Sequence, residues 1–289
     1  MTPTPTTVER VNARPGNKVA RNLVGAFGWS RPFPAGIAPP GLLAALDDAG
    51  LLRREGDLHW SGIRVSTLDG EYFAHSAFPT IAADAVFFGP DTYRFCRAIR
   101  ARLPDPAAIR RAADIGSGAG PGGILIARHA PAAEVLLLDV NESALRLSRA
   151  NALAAGLLNV EARRSDVFGG ADGLFDLVVS NPPYLNDPLA RAYRHGGGSH
   201  GDALSVRIGT EALERLAPGG RLILYTGVAI LSGADPFLAR MMPVLQAAPV
   251  TWTYEEVDPD VFGEELDTIA YATADRIAAV VLTATRSPS

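Results

Sequence analysis

Four consecutive residues, Asn181-Pro182-Pro183-Tyr184, carry the most specific chemistry in this 289-residue chain. They follow the apolar run Leu177-Val178-Val179-Ser180. Consecutive prolines remove backbone donors and stiffen a turn, so the Asn181 amide and the Pro182 carbonyl stand fixed in space. Both oxygens can accept hydrogen bonds from one NH2 group. A nitrogen conjugated to a π system is a poor nucleophile because its lone pair is delocalised. Two acceptors around it favour tetrahedral character and free that lone pair for attack on an electrophilic methyl group. Tyr184 would stack on the planar group. This is positioning and electrostatic preorganisation; the proton leaves readily after alkylation, so no histidine base is required.

A second constellation, Asp114-Ile115-Gly116-Ser117-Gly118-Ala119-Gly120, reads as a strand ending at an acid and entering a glycine-rich turn. Glycines reach positive φ and let a ligand approach the backbone. Ligands of open α/β sheets sit beyond the carboxyl ends of the strands. The glycines alone also fit a dinucleotide pattern. Asp114 is the difference: a carboxylate repels a pyrophosphate but attracts the ammonium of an amino-acid end, directly or through a bridging water. Asp139, closing the run Val135–Leu138, can accept both hydroxyls of a ribose or cap the following helix. Asp166 and Val167, after Ser165, can meet an adenine amino group and ring face, or form an ordinary turn.

Elements that must position these residues are legible from periodicity. From Ala85 onward strands and helices alternate. Strands are expected near Ala112–Ile115, Val135–Asp139, Val160–Ser165, Leu177–Ser180, Arg221–Tyr225, Thr251–Val257 and Ala278–Ala284. Helices are expected near Asp91–Leu103, Pro121–His129, Glu142–Ala155 and Ser205–Leu216. Short, continuously apolar strands suit a parallel sheet covered on both faces. The fold class is therefore α/β: a doubly wound, mostly parallel seven-stranded sheet whose last two strands form a hairpin-like pair. Residues 1–85 read separately, as a small α+β cap or substrate-recognition domain before the 86–289 ligand-binding domain. There, Leu42–Leu52 has helical spacing that ends near Gly50, and His59–Phe73 suggests a hairpin turning at Asp69-Gly70.

Together these motifs resemble class I S-adenosylmethionine-dependent methyltransferases. Within that group they are similar to the N5-glutamine and small-domain amino-methyltransferases, whose fourth-strand motif reads NPPY. The resemblance covers residues 86–230. It implies that Asp114, Gly116, Gly118 and Gly120 line the methionine end of the donor, that Asp139 holds the ribose, and that Asp166 and Val167 hold the adenine. It implies acceptor contacts from Asn181 and the Pro182 carbonyl, with Pro183 and Tyr184 completing the site. Phe88-Gly89-Pro90-Asp91-Thr92 resembles the segment before the first strand that touches the donor, which brings in Thr92. Its first residues depart from the Pro-Arg-Pro-Glu-Thr of glutamine methyltransferases. The expected cofactor is S-adenosyl-L-methionine. The acceptor would be a protein glutamine amide, a base of rRNA or tRNA, or a small-metabolite nitrogen, each presenting a planar NH2.

Composition narrows the partners. The formal net charge is −4, which gives no chain-wide basic face for nucleic acid. Only Arg10, Arg14, Lys18, Arg21 and Arg31, against Glu9, make the start mildly basic. The opening residues lack a secretory pattern and no apolar run is long enough to span a bilayer, so a cytoplasmic protein without membrane partners is expected. Cys96 is the single cysteine and shares a helical face with Phe95, Ile99 and Leu103, as core. The five histidines lack metal-ligand spacing, and no metal is expected. Gly197-Gly198-Ser199-His200-Gly201 matches a nucleophile elbow by letter but lacks the preceding strand; it reads as a mobile loop able to fold over substrate. The acids from Glu255 to Asp267 would border the acceptor site or form a solvated connection. Two other classes remain: a nicotinamide oxidoreductase, which leaves Asn181–Tyr184 without a role, and an inactive methyltransferase-fold binding module.

Overall fold

The computed structural model describes residues 2–288. The chain begins with helix α1 (Pro5–Asn12), where the Thr4 hydroxyl accepts from the Thr7 N–H at 3.2 Å. Then come β1 (Phe33–Pro34), helix α2 (Pro40–Asp48), β2 (Leu52–Glu55) and β3 (Leu58–Ser61). These strands make a small antiparallel sheet in the order β1-β3-β2 over a cluster that includes Phe27, Phe33 and Leu46. Strands β4 (Ile63–Leu68) and β5 (Glu71–Ser76) form a separate hairpin turning at Asp69 and Gly70, both at positive φ.

One expectation for this region is corrected. The hairpin runs from Ile63 to Ser76, and His59 belongs to β3, whose partners are β1 and β2. The helix over Leu42 ends at Asp48, beside the expected stop at Gly50, which takes a left-handed φ of 67° before Leu52 enters β2. The hairpin packs Leu68 and Phe73 into the large core with Phe88 and Phe95.

The remainder alternates as the periodicity requires: α3 (Pro90–Arg100), β6 (Arg111–Ile115), α4 (Pro121–His129), β7 (Glu134–Asp139), α5 (Glu142–Ala154), β8 (Val160–Arg164), β9 (Phe175–Ser180), α6 (Ala203–Arg215), β10 (Leu216–Ile230), α7 (Pro236–Ala247), β11 (Val250–Asp258) and β12 (Arg276–Arg286). The seven-stranded sheet has the order β11-β12-β10-β9-β6-β7-β8. Strands β6 to β10 pair in parallel, while β12 lies antiparallel between β10 and β11.

Alternating side chains feed two cores. Ala112, Leu137, Val179 and Ile223 face the side covered by α3, α4 and α5 with Phe95, Ile124 and Leu145. Ala113, Leu136, Val178 and Leu222 face α6 and α7 with Ile208, Met241 and Leu245. Burial on both faces explains the unbroken apolar runs. Helix α7 has no counterpart in the periodic reading. Pro243 in its interior breaks the pattern, although Asp235 caps it by accepting from the Leu238 N–H at 2.9 Å. Chain order runs outward from β6 to β7 and β8, then returns to β9 on the other side of β6. That reversal opens a crevice beyond the carboxyl ends of β6 and β9.

Candidate active site

A cavity of about 350 Å³ fills this crevice. Its floor is the turn after β6. Gly116 and Gly118 adopt φ of 67° and 55°, and the Gly116 and Ser117 N–H groups donate to the Leu138 carbonyl at 2.8 and 3.1 Å. The strand beside the turn ends at Asp139, whose carboxylate ties the site together. One oxygen accepts from the Gly118 N–H and the other from the Asn141 N–H, both at 2.9 Å. Burial pushes the Asp139 pKa up, opposed by those backbone donors. The carboxylate still faces the cavity.

Six of the eight expected donor-side residues border this space: Gly116, Gly118, Asp139, Asp166, Val167 and Thr92. The other two do not, and their placement corrects the expectation. Asp114 is 1% exposed and lies beneath the turn, where it accepts from the Gly123 N–H at 2.8 Å. Burial pushes its pKa up to about 7. It braces the start of α4 through the Gly123 N–H. Gly120 caps α4 with φ 84°, and a Cβ there would come within 3.1 Å of Leu137 and Ser148. Its hydrogen side chain serves helix–strand packing.

At the far end of the donor side, Asp166 receives both Arg207 terminal nitrogens at 2.8 and 3.0 Å, so its carboxylate is already engaged. Val167 is buried at φ 50°. A β-branched residue in the left-handed region is strained, and such strain concentrates at functional sites.

Asn181, Pro182, Pro183 and Tyr184 all line the cavity beside the glycine turn. Ser180 anchors the turn's approach by donating to the Ile115 carbonyl at 2.7 Å. The Asn181 Oδ1 atom is buried without a hydrogen-bond partner, as is the Ser117 hydroxyl. Buried acceptors are nearly always satisfied, so an unpaired amide oxygen on a cavity wall marks a place for a donor. Tyr184 is more constrained than a free stacking ring. Its hydroxyl donates to Asp91 Oδ2, and Gly227 packs so closely on the ring that a Cβ would lie 2.3 Å from it.

Asp91 is the main functional residue that motif reading passed over, although it stands next to Thr92. It is 7% exposed, lines the cavity, and accepts from Tyr184, from Tyr225 at 3.0 Å and from Arg94 at 3.0 Å. Burial raises its pKa, with Tyr184 opposing. Arg94 also pairs with Asp258 at 2.8 Å. The tyrosine of the proline turn is thus locked to α3, β10 and β11, a contact no local spacing encodes.

Further walls of the cavity are Phe87 and Tyr193, stacked at 5.6 Å, with Phe262, Arg194, Glu264 and Glu265. Arg194 pairs with Glu265. Of the acidic run, these two glutamates border the cavity, whereas Glu255, Glu256 and Asp258 pair with Arg102, Arg276 and Arg94. The glycine loop 195–201 packs against the proline turn. The Gly196 N–H donates to the Leu185 carbonyl at 2.9 Å, and Asn186 donates to the Gly198 and Ser199 carbonyls. Side chains at Gly196 or Gly201 would collide with the backbone of the proline turn. The loop is a brace behind Asn181–Tyr184. Cys96 is fully buried in α3, and burial raises its thiol pKa. No helix among the described residues is long and apolar enough to cross a membrane.

Sheet order, glycine turn and strand-end acids define a class I S-adenosylmethionine-dependent methyltransferase fold. Within it, residues 96–230 match the model of the methyltransferase small domain family. The chain is 33% identical to a 4-amino-L-phenylalanine/4-methylamino-L-phenylalanine methyltransferase of Streptomyces pristinaespiralis over 59% of this chain and 60% of that protein. It is 35% identical to a release factor glutamine methyltransferase of Deinococcus radiodurans over 54% of this chain and 55% of the other. The chain thus spans little more than half the length of these curated relatives. Among solved structures, Trm5b from Pyrococcus abyssi shares the fold with a TM-score of 0.54 and 15% identity, covering 82% of this chain and 62% of that one.

Proposed function

We propose that this protein transfers a methyl group from S-adenosyl-L-methionine to the nitrogen of a planar NH2 group, with a protein glutamine amide as the leading acceptor. The observation that carries the proposal is the unpaired, buried Asn181 Oδ1 on the wall of the same cavity that the glycine turn floors. The donor supplies an electrophilic sulfonium methyl. Gly116 and Gly118 leave room for its methionine end, Asp139 offers acceptors to ribose hydroxyls, and Val167 packs against the adenine with Asp166 at its edge. Asn181 Oδ1 and the Pro182 carbonyl accept from the two N–H bonds of the acceptor, turning its lone pair toward the methyl. Asp91 keeps Tyr184 in place through its hydroxyl and so holds the proline turn in register.

The glutamine reading draws on the Deinococcus relative. A small arylamine is the second reading, favoured by the aromatic walls Phe87, Tyr193 and Phe262 and by the Streptomyces relative. We read residues 1–85 as a cap over this end of the site, since Pro5 and Ala85 border the cavity, and we place the reaction in the cytoplasm. Incubating the protein with tritiated donor and a cell extract, then separating protein, RNA and small molecules, tests the reading. Label in protein, recovered as methylglutamine after digestion, is the expected result. Label confined to small amines replaces glutamine with the second acceptor. Label in no fraction while the donor binds would end the catalytic reading.

A further inference from the structure

Next to the main cavity lies a buried cation for which the described residues provide no acidic partner. Arg64, on β4, is 5% exposed. Its Nε donates to the Gly28 carbonyl at 2.7 Å, but the buried Nη2 has no hydrogen-bond partner. Arg64 faces a recess of about 10 Å³ walled by Pro3, Pro5, His75, Phe78 and Phe87, with no acidic residue on its walls. The cross-strand neighbour is His75, whose Nε2 shares a hydrogen bond with Ser66 Oγ at 2.8 Å. Burial, with Arg64 adding to it, depresses the His75 pKa to about 3, so that ring stays neutral. Arg64 itself is lowered to about 10 by burial and remains charged at neutral pH.

An uncompensated buried charge costs several kcal/mol in a folded protein, and an apolar side chain of similar length would fill the same space more cheaply. The charge therefore has a use outside the fold. The recess shares two walls, Pro5 and Phe87, with the main cavity. Its size suits one water-sized group, which matches a terminal oxygen of a carboxylate or phosphate. The free Nη2 can give such an oxygen one charge-assisted hydrogen bond.

We infer that Arg64 anchors an anionic group, a carboxylate or a phosphate, carried by the methyl acceptor, with one oxygen entering the recess between Pro5 and Phe87 and meeting Nη2. Assigning the anion to the acceptor rests on the methyl-transfer reading; the anion site itself does not. The acceptor would then be held at two points: its NH2 at Asn181 and its anion at Arg64.

The test compares thermal unfolding of the whole protein in sodium acetate, sodium phosphate and sodium chloride at matched ionic strength, for the unaltered chain, Arg64→Met and Arg64→Lys. The unaltered chain should show a saturable rise in Tm with acetate or phosphate above chloride, and the effective salt identifies the anion. Arg64→Met should unfold at or above the original temperature without anion and lose the anion-dependent rise. Arg64→Lys, which keeps the charge but not the fork, should keep less than the full rise; this comparison decides the matter should Arg64→Met not fold. The effective anion should also inhibit methyl transfer competitively with acceptor. An anion response absent from the unaltered chain, or equal in both variants, would overturn the site. A thermal response without inhibition would overturn its link to the acceptor. Donor titration of the same samples separates these failures from failure of the methyl-transfer reading, because donor affinity should be the same in all three.

Discussion

Asn181→Ala separates stability from turnover. The amide oxygen of Asn181 is buried and unpaired, and a buried acceptor without a partner costs roughly 1–3 kcal/mol. Truncation removes that cost and also removes some packing of similar size. The two nearly cancel, so Tm should move by no more than about 2 °C in either direction, at roughly 2 °C per kcal/mol for a chain of this length. Turnover should respond very differently. Losing one preorganised partner of the reacting group costs on the order of 10²–10³ in kcat. Donor affinity should stay within about twofold, since no recorded hydrogen bond joins this side chain to the glycine turn or to Asp139, and a change under 0.4 kcal/mol is about a factor of two. The assays are thermal unfolding, calorimetric titration with the donor, and initial rates of tritium transfer into the accepting fraction. A fall of several degrees would show that the side chain supports the fold. A rate within a few-fold of the original would show that the acceptor nitrogen binds elsewhere. Parallel loss of donor binding would place Asn181 on the wrong substrate.

Asp139→Ala removes the carboxylate that holds Gly118 and Asn141; donor affinity by calorimetry should fall at least about tenfold, as expected for a lost charge-assisted pair, and an unchanged dissociation constant would reduce Asp139 to a cap. The Asp114 carboxyl, pushed up to about 7 by burial and by Asp139 against the Gly123 N–H, binds its proton more tightly folded than unfolded. Native protein therefore carries the extra proton between about pH 4 and 7, and stability falls as pH rises through that window. Asp114→Asn keeps an acceptor for the Gly123 N–H without the titration, so denaturant unfolding should find it near the original at pH 5 and more stable at pH 8. The reverse order would contradict the assigned burial. Gly123→Ala places a Cβ 2.0 Å from Leu137 Cδ2; overpacking of this kind costs about 1–3 kcal/mol, and an unshifted denaturation midpoint would show that α4 can slide away from β7.

The strands of the sheet and helices α3 to α6 were readable because each repeats an apolar pattern over its own few residues. For the same reason Gly116, Gly118, Asp139 and the proline turn were legible as a set: strand ends in a doubly wound sheet all open on one crevice. The orientation of Asp114 was not legible, since a side chain at a strand end can point into the crevice or beneath the turn, and only the close packing of Gly122 and Gly123 on it decides. Helix α7 was hidden by Pro243, whose local cost is outweighed by the burial of Phe237, Met241 and Leu245.

By itself, the order of residues determined the architecture, the glycine turn and the Asn-Pro-Pro-Tyr turn that follows β9, because these depend on neighbours along the chain. Tertiary structure alone decided what joins distant segments. Tyr184 and Tyr225 both donate to Asp91, from 93 and 134 residues away. The glycine loop becomes a brace because the proline turn packs against it. Arg64 is buried beside a recess whose walls, drawn from distant segments, carry no acid. Contacts between such segments form when sheet faces and caps close together, and the energies that select them come from packing and desolvation, quantities with no signature in local spacing.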